Sequence, residues 1–273
     1  MRRSRTIIGF TALTASLALC ASATAGAASN NEPAKEPRIV GGTFADPAAW
    51  SFVAAIYFDG QQGCGGTVIT STAVLTAAHC AEGAQPGELS VGTGRRALSD
   101  AGGETIGVSG YSIHPDYPST GRTDLAVLRL ERPTSAPAVQ FSTPDIDRAI
   151  TTTGSALRVA GWGSTTPKGN DRGSDALLET GEAVRPTRDC RWAYGRGFSV
   201  ADQICTTGSR LGRRQNSSSC FGDSGGPLVA DTATGRRLVG VVSFGGNRCG
   251  DPRFPSVYAR VAPQLDWIVA AAG

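Results

Sequence analysis

From Ile39 onward the chain is written in short apolar runs. Residues 52–58, 67–69, 73–75, 125–130, 157–160 and 238–244 are each of strand length, rich in Val, Ile and Leu, and set apart by Gly, Pro, Asn and Asp. Regularly spaced runs of this kind predict an all-β fold, a barrel or a sandwich. The 36 glycines suit the many turns such a fold needs. Only the C-terminus reads as a helix, over about 263–271. Pro263 suits its first turn, and Leu265, Ile268 and Val269 share a face. The segment 133–150 carries three prolines and few apolar runs, which marks it as the boundary between two halves.

The first 28 residues read as an export signal. Arg2, Arg3 and Arg5 precede an apolar run over 7–20, and small residues follow it. The run is too short for a membrane span. Residues 29–38 are polar, with two prolines, and read as a short pro-segment. Beyond Ile39 basic and acidic residues balance at 21 each, so no basic patch argues for nucleic acid. Six cysteines remain once Cys20 leaves with the signal: Cys64, Cys80, Cys190, Cys205, Cys220 and Cys249. An even number in an exported chain implies three disulfides, and the spacings match no zinc site.

The chemistry begins at Gly222-Asp223-Ser224-Gly225-Gly226-Pro227. A serine flanked by glycines has little side-chain cover, and its neighbouring amides are free to face a ligand, which suits a nucleophile. The string also fits the nucleophile elbow of α/β-hydrolases, but that triad needs a histidine after the serine. The only histidines, His79 and His114, both precede it. His79 ends an apolar strand beside Cys80, a rigid place for a base. His114 lies among turn residues and reads as part of a surface loop. Asp124 opens the apolar run 124–130, where a partly buried carboxylate needs a partner. Orienting a histidine is one such role, and capping a turn is another.

Together these segments resemble the chymotrypsin/trypsin family of serine proteases. Arg38-Ile39-Val40-Gly41-Gly42 resembles the activation site, Thr76-Ala77-Ala78-His79-Cys80 the histidine motif, and Asp124-Leu125-Ala126-Val127-Leu128-Arg129-Leu130 the aspartate motif. Gly222 to Pro227 resembles the serine motif. Gly161-Trp162-Gly163 and Pro255-Ser256-Val257-Tyr258 match further landmarks. The resemblance implies two six-stranded antiparallel barrels, at about 39–140 and about 150–262, with the site between them. It implies His79, Asp124 and Ser224 as the triad, an oxyanion hole from the amides of Gly222 and Ser224, and disulfides Cys64–Cys80, Cys190–Cys205 and Cys220–Cys249. It also implies cleavage after Arg38, with the new Ile39 amine paired to Asp223.

The resemblance places Ser218 at the base of the primary pocket, where trypsin-like members carry Asp. A guanidinium buried there without a carboxylate loses several kcal/mol. Ser243, Gly245 and Ser256 form the remaining walls, and Ser256 stands where glycine is usual and narrows the space. Apolar side chains are therefore expected. Arg248 at the rim offers a competing preference for acidic ones, and Tyr194 is a trypsin-like trait. The stretch that would hold calcium, Gly92-Thr93-Gly94-Arg95-Arg96, is basic, so no metal and no cofactor is expected. Expected partners are protein or peptide substrates and an Arg-specific activating protease, for a monomer in the extracellular space.

Overall fold

Each short apolar run named above falls on a strand of the computed structural model, which describes residues 39–273, although Phe52 and Leu125 lie one residue ahead of theirs. The predicted signal, the pro-segment and Arg38 lie outside the described residues. Six strands make the first barrel: β1 (Val53–Phe58), β2 (Gln61–Thr70), β3 (Ala73–Thr76), β4 (Leu89–Thr93), β5 (Glu104–Ile113) and β6 (Ala126–Leu130). They pair antiparallel in the order β1-β2-β3-β6-β5-β4, and β4 returns to β1 to close the ring. Six more make the second barrel: β7 (Ala156–Gly161), β8 (Leu178–Val184), β9 (Gln203–Gly208), β10 (Pro227–Thr232), β11 (Gly235–Phe244) and β12 (Ser256–Arg260). Their order is β7-β8-β9-β12-β11-β10, closed by β10 on β7, so the two barrels share one topology. Closure removes the open edges that a free sheet would expose.

Burial explains the strand choice. Val53, Ala54, Ala55 and Ile56, Val74 and Leu75, and Val127 and Leu128 are almost wholly enclosed in the first barrel. Leu157, Val159, Leu228, Val239 and Tyr258 fill the second. At roughly 1.5–3 kcal/mol for each large apolar side chain, this burial is the main term holding the barrels. The segment 133–150 lies between Leu130, the end of β6, and Ala156, the start of β7. Within it Gln140–Phe141 runs parallel to β11, and Pro144–Ile150 forms a helix.

Three expectations need correction. The C-terminus is helical, as a 3-10 turn at Ala262–Gln264 followed by an α-helix at Leu265–Ala272. Its buried face holds Ile268, whereas Val269 is 61% exposed. A further helix, Thr187–Tyr194, has no counterpart in the sequence reading: half its residues are polar or charged, and only Cys190 is buried to anchor it. His114 is not on a surface loop. It is 5% exposed, edge-on to Trp267 with ring centroids 4.6 Å apart. Burial also lowers its pKa, which keeps it neutral.

Candidate active site

The first barrel supplies an oriented imidazole. β3 runs into the 3-10 turn Ala78–Cys80, which carries His79. The Cys64–Cys80 disulfide ties that turn back to β2. Asp124 sits just ahead of β6 and is 3% exposed. Its two oxygens serve the histidine twice: Oδ1 accepts from the His79 amide at 3.0 Å, and Oδ2 lies 2.8 Å from Nδ1. This pair fixes Nδ1 as the protonated nitrogen and leaves Nε2 with a lone pair. A third donor was not foreseen in this role. The Ser243 hydroxyl, from β11, reaches Asp124 Oδ2 at 2.6 Å across the barrel junction. Desolvation pulls the His79 pKa down, but the Asp124 hydrogen bond and the charges of Asp124 and Glu82 outweigh it, so the value is raised.

The second barrel supplies the serine loop, which is pressed against the first. The Gly65 amide donates to the Ser224 carbonyl at 2.7 Å, and Gln62 Nε2 donates to the Gly222 carbonyl at 3.0 Å. Thr76 Oγ1 in turn donates to the Gly65 carbonyl at 2.8 Å. Gly225 sits where the backbones meet. Its φ is +82°, and a Cβ there would collide with Thr76 Oγ1 and the Gly65 oxygen. Gly222 has φ +91°, a conformation closed to most side chains. That turn leaves the amides of Gly222 and Ser224 without an acceptor among the described residues. Gln62 gave no sequence signal, because a polar residue in a strand is ordinary until its partner across the fold is known.

Beneath the loop, Asp223 is fully buried. It accepts from the Gly163 amide at 2.7 Å and the Cys220 amide at 2.8 Å. Desolvation dominates these bonds, and nearby Glu182 adds to it, so the carboxyl is pushed up to about 7. Ile39 is also fully buried, and the Val40 carbonyl accepts from the Ser218 amide at 3.1 Å. Ile39 and Val40 therefore lie inside the protein beside the serine loop.

Ser218, Ser243, Gly245 and Ser256 line one cavity of about 240 Å³ together with Ser224. Ser218 is 4% exposed, and its hydroxyl lies 3.1 Å from that of Ser256. Among the described residues no carboxylate lines this space, and the Arg248 guanidinium at its rim is turned to Gln215 at 3.1 Å. Tyr194 braces the wall, donating to the Pro255 carbonyl at 2.5 Å and packing edge-on to Phe244. Cys190–Cys205 and Cys220–Cys249 are bonded as the resemblance implies. Arg95 donates to the Leu98 and Asp100 carbonyls and to Thr105 Oγ1, taking up oxygens a cation in that loop would need. Among the described residues the one cluster of potential metal ligands is Cys64, His79 and Cys80, whose sulfurs are bonded to each other.

A family model described as Trypsin matches residues 39–268. The chain is 34% identical to the trypsin of Saccharopolyspora erythraea, covering 84% of this chain and 95% of that protein. It is 32% identical to trypsin delta of Drosophila erecta, covering 87% and 89%. Among solved structures it is similar to mouse neuropsin, a serine protease expressed in the limbic system of the brain. That match has a TM-score of 0.72 and 28% identity, covering 84% of this chain and 98% of that one.

Proposed function

Because the chain belongs to the trypsin family of serine proteases, a hydrolase acting on peptide bonds, we propose that it is exported as a precursor, is cut between Arg38 and Ile39, and then cleaves proteins after apolar side chains. Ser224 Oγ attacks the scissile carbonyl carbon, and its proton passes to His79 Nε2. Asp124 holds the imidazolium that forms. The tetrahedral oxyanion is stabilised by the amides of Gly222 and Ser224. Collapse of the intermediate breaks the C–N bond, and the proton on His79 goes to the departing amine. Water, deprotonated by His79, then releases the acyl group and restores Ser224.

The reading of the triad is supported by one observation above all. Asp124 engages both the amide and Nδ1 of His79, so the imidazole is held in the tautomer a general base requires. The preference for apolar side chains is supported by the cavity floor, where Ser218 stands and no carboxylate faces in. Activation is supported by the burial of Ile39 and by Asp223, a buried carboxyl without a cation, which a new amine at Ile39 would neutralise. Secretion is supported by the leader and the three disulfides. Among the described residues no helix is long and apolar enough to cross a membrane.

Purified precursor should stay inactive on standing, since its own pocket refuses Arg38, and should become active on brief treatment with trypsin, with Ile39 at the new N-terminus. The active form should label stoichiometrically with a phosphonyl fluoride. A peptide library should then show Leu, Met or Phe ahead of Arg and Lys at the cleavage site. Maturation of wild-type precursor unaided, with Ser224→Ala precursor remaining intact, would mean that the pocket takes arginine and would overturn the apolar reading. Ser218→Asp should introduce self-activation.

A further inference from the structure

Glu182 on β8 takes no part in the reaction above, yet it lies directly behind the primary pocket. It is 4% exposed and does not line the cavity. Oε1 accepts from the Ser219 amide at 3.3 Å. Oε2 accepts from the Tyr258 hydroxyl at 2.8 Å and from Thr206 Oγ1. Thr206 comes from β9, Tyr258 from β12 and Ser219 from the loop that forms the pocket floor. The buried carboxyl of Asp223 and the Tyr258 phenol are ionisable groups within electrostatic reach. Among the described residues no cation pairs with Glu182. Burial raises its pKa, and the three hydrogen bonds work against that rise.

The hydroxyl hydrogens on the floor can be followed one by one. Each hydroxyl has a single hydrogen. Tyr258 gives its hydrogen to the Glu182 carboxylate. The Ser219 hydroxyl is 3.2 Å from that of Tyr258, whose hydrogen is already used, so Ser219 is the donor of that pair. Ser218 gives its hydrogen to the Ser219 carbonyl at 2.5 Å, so Ser256 is the donor to Ser218. All four hydrogens are taken by protein oxygens, and none is left for the cavity. What the floor turns to the cavity is lone pairs, although no carboxylate is present there. Ser219 and Tyr258 stand between the cavity and Glu182, so a guanidinium gains no direct ion pair.

We propose that Glu182 is a positioning residue for substrate choice: by drawing the hydrogens of Tyr258 and Ser219 inward, it makes the pocket floor a hydrogen-bond acceptor that, among the uncharged side chains the pocket admits, favours one tipped with an O–H or N–H over an apolar one of the same size and shape. The class favoured is Tyr over Phe and Gln over Met. The proposal rests on the assignment of this cavity as the primary pocket. A donor-ended side chain keeps its hydrogen bond on leaving water, whereas an apolar one leaves the floor oxygens unpaired.

The test uses the mature enzyme, with active sites titrated by a phosphonyl fluoride. kcat/KM is measured on peptides differing only in the residue before the cut, as the pairs Tyr/Phe and Gln/Met. Wild type should favour the donor by about tenfold in whichever pair fits. Glu182→Met, which removes both acceptor oxygens, frees the Tyr258 and Ser219 hydrogens and should bring the ratio to about one. Tyr258→Phe, which keeps the ring and cuts the relay, and Ser219→Ala, the smallest change, should each remove most of the preference. A merely structural role would lower both members of a pair alike and leave the ratio intact. Brisk turnover with a wild-type ratio of one, or a ratio that survives Ser219→Ala and either other variant, overturns the proposal alone. Titrated enzyme that cuts none of the four peptides overturns the pocket assignment, and the proposal with it.

Discussion

The two barrels share a strand order but not an interior. Among the described residues the strands of the first barrel bury no charged side chain, and its enclosed polar positions are threonines such as Thr67, Thr76 and Thr93. The second buries Glu179 and Glu182 on β8 alone, with Gln203, Thr206 and the Ser217-Ser218-Ser219 run around them. The first barrel is a dry scaffold that holds one rigid pair, His79 and Asp124, at its rim. The second has a pocket cut into it, and the polar groups that line the cut need partners further in. Identical topology therefore carries two kinds of work, and the difference lies in what each barrel can afford to leave polar.

The largest test of that division is removal of the reacting groups. Ser224→Ala from the second barrel and His79→Ala from the first should each lower kcat by on the order of a million-fold, because the residues act as a unit. His114→Ala, in the same barrel as His79, should leave kcat within a few-fold while lowering the midpoint of thermal unfolding, since His114 packs on Trp267. Loss of turnover in the His114 variant with retention in His79→Ala would reverse the assignment of the base.

The next test is the seam. Gly225→Ala must push the serine loop off Thr76 and Gly65, and a displacement of about 1 Å at the nucleophile costs on the order of a hundredfold in rate. The defect should fall on kcat, with the phosphonyl fluoride reaction slowed to match. An unchanged rate of labelling would mean that the seam does not position Ser224.

Disulfides sharpen the comparison further. Removing Cys64–Cys80 from the first barrel or Cys190–Cys205 from the second should each cost about 2–4 kcal/mol in denaturant unfolding. Only the first should also reduce kcat, because Cys80 adjoins His79.

Titration gives the smallest effects and separates the barrels by pH window, since both groups have raised values but start from different ones. The raised pKa of His79 means that its charged form is favoured in the fold. That contribution to stability is complete below about 6.5 and is lost as pH rises through the folded value. The proposed general-base role needs the neutral form, so kcat/KM should rise with a midpoint above 6.5. Asp223 is favoured in its neutral form in the uncleaved chain. Its contribution is complete below 3.8 and is lost as pH rises to about 7. The precursor should therefore lose stability across that window, by at most about 1.4 kcal/mol per pH unit. The cleaved enzyme should lose less once the Ile39 amine pairs with Asp223, and Asp223→Asn should flatten the precursor's slope. Equal slopes in precursor and cleaved enzyme would count against that pairing.

The sequence by itself determined the all-β class, the division near 133–150 and the order of the chemistry. Strand-length apolar runs leave few ways to bury themselves, and two histidines ahead of Ser224 exclude the hydrolase arrangement. The motifs around His79, Asp124 and Ser224 are local strings, so they could be read without a fold. Tertiary structure decided what depends on residues far apart in the chain. His114 reads as a turn residue until Trp267, at the other end of the sequence, covers it. Ser243 reads as a pocket wall until Asp124, 119 positions away, accepts its hydrogen bond. Gln62 and Glu182 carry no local mark at all. A polar side chain in a strand becomes informative only when closure of the barrels shows which buried group it must satisfy, because hydrogen bonds and desolvation act between neighbours in space rather than in sequence.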